Sequence, residues 1–151
     1  MEETLVQEMD MEDLEEVLFI ERSSSLTPWS QKMFVEEILS PTSHCFTLKL
    51  KEGAGDRVAG YICFRDIVGE SELLNLSIHP HYRRMGLGKQ LMAFYLDFSV
   101  RMGIRACYLE VSVSNEPAIR LYNHFSYHAV GRRKRFYQGR VDALLMMRVF
   151  S

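Results

Sequence analysis

The sequence has 151 residues, 47% apolar and 25% charged, with a net charge of −2; that balance suits one domain, residues 1–151, with a full core and excludes a disordered tail, a collagen-like chain and a disulfide miniprotein. The near-neutral total conceals a split: residues 1–82 hold 6 Lys/Arg against 16 Asp/Glu, a net −10, and residues 83–151 hold 12 against 4, a net +8. Two solvated, mutually attracting faces account for it, and so do a basic half meeting phosphate and an acidic half meeting a cationic partner.

The first ten residues are acidic where a secretion signal is basic, and no apolar run nears the roughly 18 residues that cross a bilayer. A cytoplasmic protein without a membrane partner is expected. Asp10 is placed to cap a helix carrying Leu14, Val17, Leu18 and Glu21 at helical spacing, with Glu12 and Asp13 in its first turn. Thr27-Pro28-Trp29-Ser30 is a rigid turn, and Ser30 caps a second helix (Met33, Phe34, Glu37, Ile38) that Pro41 ends. Strands follow over Cys45 to Leu50, Val58 to Phe64 and Leu73 to Ile78. Leu87, Leu91, Tyr95 and Phe98 then line one helix face that closes at Arg101-Met102-Gly103. A strand from Ala106 to Val113, a short helix from Pro117 to Phe125 and strands over Tyr127 to Arg133 and Ala143 to Val149 complete the chain. This order predicts a mixed α/β layer design rather than an uninterrupted parallel βαβ series. Cys45, Cys63 and Cys107 are odd in number and lack CxxC spacing, so reduced thiols buried in strands are expected.

The chemistry concentrates in His79-Pro80-His81-Tyr82-Arg83-Arg84-Met85-Gly86-Leu87-Gly88-Lys89, a basic, glycine-bearing turn from strand to helix. Glycines admit a ligand to the main chain, and the first helical N–H groups have no internal partners, so an anion is favoured there. A Walker loop does not fit, because Gln90 follows Lys89 where Ser or Thr belongs; the dinucleotide fingerprint fails at Leu91. His79-x-His81 has no clustered Cys, Asp or Glu beside it, and no metal is expected. The run Arg132-Arg133-Lys134-Arg135 reads as a nucleic-acid patch or as a solvated strand edge that discourages aggregation, and the second is preferred.

Arg83-x-x-Gly86-x-Gly88 after a strand resembles the coenzyme A pyrophosphate loop of the GNAT acetyltransferase superfamily. Leu109-Glu110-Val111-Ser112-Val113-Ser114-Asn115, followed by Ala118-Ile119-x-Leu121-Tyr122, is similar to ribosomal-protein alanine N-acetyltransferases of RimI type, as is Pro28-Trp29-Ser30. The resemblance implies a central, mostly antiparallel sheet flanked by helices and splayed between the strands carrying Ile78 and Glu110. It implies direct attack of an amine on acetyl-CoA, with Glu110 as general base and Tyr122 as general acid. Their plainer readings are a solvated strand carboxylate and a core aromatic beside Leu121 and Phe125.

By the same transfer, Leu76, Ser77 and Ile78 would meet the pantetheine arm, and Arg84, Met85, Gly86, Leu87, Gly88 and Lys89 the pyrophosphate. Asn115 would hydrogen-bond the arm, serve as an ordinary helix cap, or do both. Trp29, Phe136 and Tyr137 would border the acceptor cleft or simply pack at its rim. At pH 7.5 an α-amine is roughly one-third neutral and a lysine only about 0.1%, which suits a site with one obvious carboxylate to an α-amine. The acceptor implied is the N-terminal alanine of a basic small-subunit ribosomal protein, the enzyme being a monomer or weak dimer with no direct nucleic-acid contact. A lysine, polyamine or small-molecule acceptor, or a non-catalytic acyl-CoA-binding module, stay open as alternatives. The family's Gly-Phe after the Leu-Tyr helix is Ser126-Tyr127 here, so a weaker helix end is expected.

Overall fold

The first strand comes from a segment that charge alone reads as an acidic lead-in. In the computed structural model, which describes residues 3–53, 55–137, 139 and 141–150, with Arg135 and Tyr137 through the main chain only, β1 (Thr4–Glu8) pairs antiparallel with β2 (Ser43–Glu52). Thr4 and Val6 are β-formers turned inward, and strand pairing outweighs the flanking carboxylates. β2 in turn pairs antiparallel with β3 (Gly55–Ile67). With β4 (Glu70–Ile78), β5 (Ala106–Ser112), β6 (His128–Tyr137) and β7 (Val141–Val149), the strands are ordered β1-β2-β3-β4-β5-β7-β6 in a mostly antiparallel sheet. The α-helices are α1 (Leu14–Ser24), α2 (Gln31–Leu39), α3 (Leu87–Arg101) and α4 (Glu116–His124), which gives the expected mixed α/β architecture.

The chain divides into two compact units, Met1–Arg65 with Leu74–Leu91, and Asp66–Leu73 with Met92–Ser151. In the first, the Asp10 carboxylate accepts from the Glu12 N–H at 2.9 Å while the Asp13 carboxylate accepts from the Asp10 N–H at 3.0 Å, a reciprocal cap that starts a short 3₁₀ turn leading into α1. Lys49 pairs with Asp13 at 2.8 Å, and this bond holds its ammonium above the usual lysine range. Ser30 Oγ accepts from the Met33 N–H at 3.2 Å and starts α2, which stops at Leu39, just ahead of Pro41. The core of this unit gathers Val17, Leu18, Ile20, Phe34, Val58 and Tyr61. Cys45 and Cys63 oppose each other in the β2–β3 register as buried free thiols.

Glu21 also lies in this core, 3% exposed. Its carboxylate accepts from the Tyr61 hydroxyl at 2.5 Å, the Trp29 N–H at 2.8 Å and the Asn75 amide at 3.0 Å. Such donors offset the desolvation that would otherwise make a buried carboxylate costly. Burial and the nearby Glu21 charge push the Tyr61 phenol far above its ordinary range. Between Leu48 and Lys49 the β2–β3 register shifts, with Leu48 opposite Gly60 and Lys49 opposite Val58. A Cβ on Gly60 would lie 2.6 Å from Ile78 Cδ1 and 2.9 Å from the Ser77 carbonyl oxygen. β3 therefore approaches the end of β4 at a distance only glycine permits.

In the second unit β5 pairs antiparallel with β7 along its length, from Ala106 opposite Val149 to Ser112 opposite Ala143. The start of β4 pairs parallel with the start of β5 over Glu70–Ala106, Ser71–Cys107 and Glu72–Tyr108. Tyr95 on α3 reaches Ser71 through a hydroxyl–hydroxyl hydrogen bond of 2.7 Å, and Gly103 at φ +77° follows the end of that helix. Cys107 is the third buried free thiol.

The end of α4 corrects the expectation of a weak cap. Ser126 adopts φ +66°, its N–H donates to the Asn123 carbonyl at 3.0 Å, and the Tyr127 N–H donates to the Tyr122 carbonyl at 3.1 Å. That is the paired bonding of a Schellman cap, completed with serine where glycine is usual. A serine there carries left-handed strain of about 1–2 kcal/mol, less the extra chain entropy that glycine loses on folding. Ser126→Gly is expected to stabilise the protein by about 0.5–1 kcal/mol, raising Tm by about 2–3 °C in a thermal melt; an unchanged or lower Tm would contradict this account.

Candidate active site

In the first unit, Leu76, Ser77 and Ile78 are the last residues of β4; Ser77 is buried and the other two are partly exposed. The connection to α3 is moored at several points. The His79 N–H donates to the Ala59 carbonyl at 2.7 Å, and His79 Nδ1 accepts from the His81 N–H at 3.0 Å. Tyr82 donates to the Glu52 carboxylate at 2.9 Å, while Arg83 donates to the Ile78 carbonyl at 3.3 Å and to Ser24 Oγ at 3.1 Å. Arg83 is thus an anchor of the loop.

Beyond it the chain turns through Arg84 at φ +66° and Gly86 at φ +78°. The bond from the Gln90 N–H to the Gly86 carbonyl, 3.1 Å, opens the helical pattern. Helix geometry gives the N–H groups of Leu87, Gly88 and Lys89 no acceptor inside the helix. Leu87 is buried and fixes the first turn, whereas Arg84, Met85, Gly86 and Lys89 are exposed. A Cβ at Gly86 would meet nothing within 4 Å, so backbone conformation, and not space, requires glycine there. The result is a turn that joins helix-start N–H groups without acceptors inside the helix, the exposed cationic residues Arg84 and Lys89, and the positive end of a 15-residue helix, a chemistry matched to a phosphate group.

Trp29 is half-buried against Phe34, ring centroids 5.0 Å apart and planes 56° apart, with its main chain held by Glu21. It packs at the margin of the first unit's core. A groove of about 410 Å³ elsewhere in this unit is lined by Met11, Glu12, Leu14, Glu15, Leu18, Arg22 and Gln31; it contains none of the catalytic, cofactor-binding or acceptor residues expected from the sequence.

The second unit holds the remaining candidates. Glu110 lies on β5 opposite Leu145 of β7, its side chain 18% exposed. Its Oε1 lies 2.9 Å from Nη2 of Arg133 on β6, and the Arg133 guanidinium carbon sits 4.6 Å from the centre of the Phe136 ring. Arg132 pairs with Asp142 at 2.9 Å. The basic run lies on the edge strand of the sheet with Arg132, Arg133 and Lys134 exposed, as expected, and two of its members each engage a particular carboxylate as well. Sequence reasoning missed Arg133 as a site neighbour because the β5–β7–β6 order that carries it to Glu110 leaves no mark in residue spacing. Phe136 is 45% exposed beneath the guanidinium, and the side chain of Tyr137 lies outside the described residues.

Tyr122 is 8% exposed on α4, its ring centroid 5.8 Å from that of Tyr127, and its carbonyl is the acceptor of the Schellman bond. Asn115 caps α4, Oδ1 accepting from the Ala118 N–H at 3.3 Å, and remains exposed. The cap uses the amide oxygen and leaves the NH₂ group outside that bond. Burial raises the Cys107 thiol above its usual range; a hydrogen bond with Cys45, followed by burial, does the same for Cys63. These two thiols are poor nucleophiles. Among the described residues no group of three or more His, Cys, Asp or Glu is arranged to hold a metal ion, and no helix is long and apolar enough to cross a membrane.

Residues 10–127 match the model of the acetyltransferase (GNAT) family. A Salmonella typhimurium protein named as a ribosomal protein bS18-alanine N-acetyltransferase is 31% identical over 137 residues, spanning 89% of this chain and 89% of its own. The crystal structure of the ribosomal-protein-S18-alanine N-acetyltransferase from Escherichia coli matches at a TM-score of 0.88 and 27% identity, covering 99% of this chain and 95% of that one. Arabidopsis thaliana NAA60, solved in complex with acetyl-CoA, shares the fold at a TM-score of 0.88 and 20% identity over 98% and 99% of the two chains. From the turn at the head of α3 to the strand bearing Glu110, the features found in the two units fall inside the matched span, and the chain belongs to the GNAT acetyltransferase family.

Proposed function

We propose that residues 1–151 serve as one N-acetyltransferase domain that moves an acetyl group from acetyl-CoA to the α-amine of a protein N-terminus. The acceptor proposed is the N-terminal alanine of a small-subunit ribosomal protein. The observation that carries this reading is the Arg84–Lys89 turn, whose helix-start N–H groups and positive φ angles suit the pyrophosphate of a coenzyme A thioester. The likeness to the Salmonella enzyme along 89% of both chains supports the acceptor.

Acetyl-CoA supplies the acyl group already activated as a thioester. In this reading the amides of Arg84 to Lys89 bind the pyrophosphate, and those of Leu76 to Ile78 line the pantetheine arm, the Ile78 N–H polarising the thioester carbonyl. Asn115 can add a donor from its amide nitrogen while its oxygen keeps the cap of α4. Glu110 accepts the proton that the amine gives up, directly or through one water, as the new C–N bond forms. As the C–S bond breaks, Tyr122 donates its hydroxyl proton to the departing sulfur. Acid and base are then separate groups, and no acyl-enzyme is required.

An α-amine suits a single carboxylate base, being roughly one-third neutral at pH 7.5. The 16 Asp/Glu of residues 1–82 suit an acceptor whose N-terminal region is basic.

Glu110→Gln is expected to slow thiol release from acetyl-CoA, measured with an alanine-initiated peptide at neutral pH, by about 100-fold or more. Tyr122→Phe should also slow turnover while calorimetric affinity for acetyl-CoA stays within about twofold; full-speed turnover in both variants would remove the assigned roles. Gly86→Val forces a β-branched residue into a positive φ at a cost of about 1–2 kcal/mol, and acetyl-CoA should bind about tenfold more weakly by the same calorimetry. Mass spectrometry of the products from a free alanine-initiated peptide and an N-terminally blocked lysine peptide decides the acceptor, with acetylation of the first alone expected.

A further inference from the structure

We propose that Arg133 is a positioning residue for Glu110, holding one carboxylate oxygen so that the other is presented to the reacting amine. The inference rests on Glu110 being the general base. Its grounds are the 2.9 Å contact between Arg133 Nη2 and Glu110 Oε1 and the way Arg133 is itself held. Its guanidinium carbon lies 4.6 Å from the centre of the Phe136 ring, three residues along β6. The neighbouring Arg132 ties β6 to Asp142 of β7 at 2.9 Å. On β7, Leu145 faces Glu110 and Ala143 faces Arg133, so the main-chain register brings acid and cation within reach across the strand between them.

A glutamate on a strand has three side-chain torsions, and a base that wanders by an ångström loses much of its advantage. The ion pair restricts those torsions through its contact at Oε1. With its side chain only 18% exposed, Glu110 is well shielded from competing water, whereas Arg133 is 54% exposed and approaches from the solvent side. A guanidinium suits this task better than an ammonium, because its planar fork fixes direction as well as charge, and this one lies over an aromatic ring. The assigned role is geometric: Arg133 acts on the reaction through Glu110.

The test is a kinetic cycle with acetyl-CoA and an alanine-initiated peptide. It compares Arg133→Gln and Arg133→Lys in the otherwise unaltered protein and Arg133→Gln in the Glu110→Gln background. Arg133→Gln should lower kcat by about 10- to 100-fold with the KM for acetyl-CoA within about twofold, and Arg133→Lys should recover part of the loss. In the Glu110→Gln background the same change should cost less than about twofold, because nothing remains to be positioned. Undiminished kcat in Arg133→Gln, or an equal loss in both backgrounds, overturns the proposal while leaving Glu110 as the base. Full turnover by Glu110→Gln alone overturns the base assignment itself. Should Arg133→Gln fail to fold, Arg133→Lys retains the charge and carries the test, with kcat equal to the unaltered protein counting against the positioning role.

Discussion

A carboxylate taken out of water must be surrounded by donors, and in the first unit Glu21 imposes that requirement on three other stretches of chain at once. From α1 it draws the Tyr61 hydroxyl of β3, the Asn75 amide of β4 and the Trp29 main chain ahead of α2 into one small volume. Loss of any one donor leaves part of a buried charge unsatisfied, which is costlier than an ordinary hydrogen bond in water. The position of Trp29 and the placement of the central part of β4 follow from this demand. The same strand then runs to Ser77 and Ile78, where Gly60 admits it into close contact. The part of the first unit to which cofactor binding is assigned is thus set by a polar requirement and a steric allowance acting on adjacent residues of β3.

Electrostatics in the chain are more local than its composition suggests. Lys49–Asp13 and Arg65–Glu37 join residues of the acidic half, while Arg132–Asp142 and Arg133–Glu110 join residues of the basic half. These pairs do not link one half of the sequence to the other. Exposed carboxylates such as Glu12 and Glu15 remain on the surface of the first unit.

Much of the architecture was legible because local chemistry decided it. Asp10 and Ser30 cap where their side chains suggest, Pro41 follows the end of α2, and the strands run through their apolar centres. The turn into α3 was readable for the same reason: glycine, basic residues and a helix start are neighbours in sequence as well as in space. Other features depend on partners far along the chain. β1 exists because β2 offers it an edge, and Thr4–Glu8 shows little of that by itself. The Arg133–Glu110 contact depends on which strands flank β5, information that a run of four basic residues does not contain. Ser126 is a third kind of case, where residue preference pointed away from a left-handed cap and the two hydrogen bonds around it prevailed.

The aromatic ring beneath Arg133 changes how that cation responds to its medium. Mobile ions weaken a Coulomb contact at the surface over a Debye length of about 8 Å at physiological ionic strength, whereas the close contact with the Phe136 ring is short-ranged and keeps much of its strength. As electrolyte is added, the guanidinium therefore loses some of its hold on Glu110 before it loses its seat on the ring. It stays beside its acidic partner, ready to re-form the pair when the electrolyte is diluted.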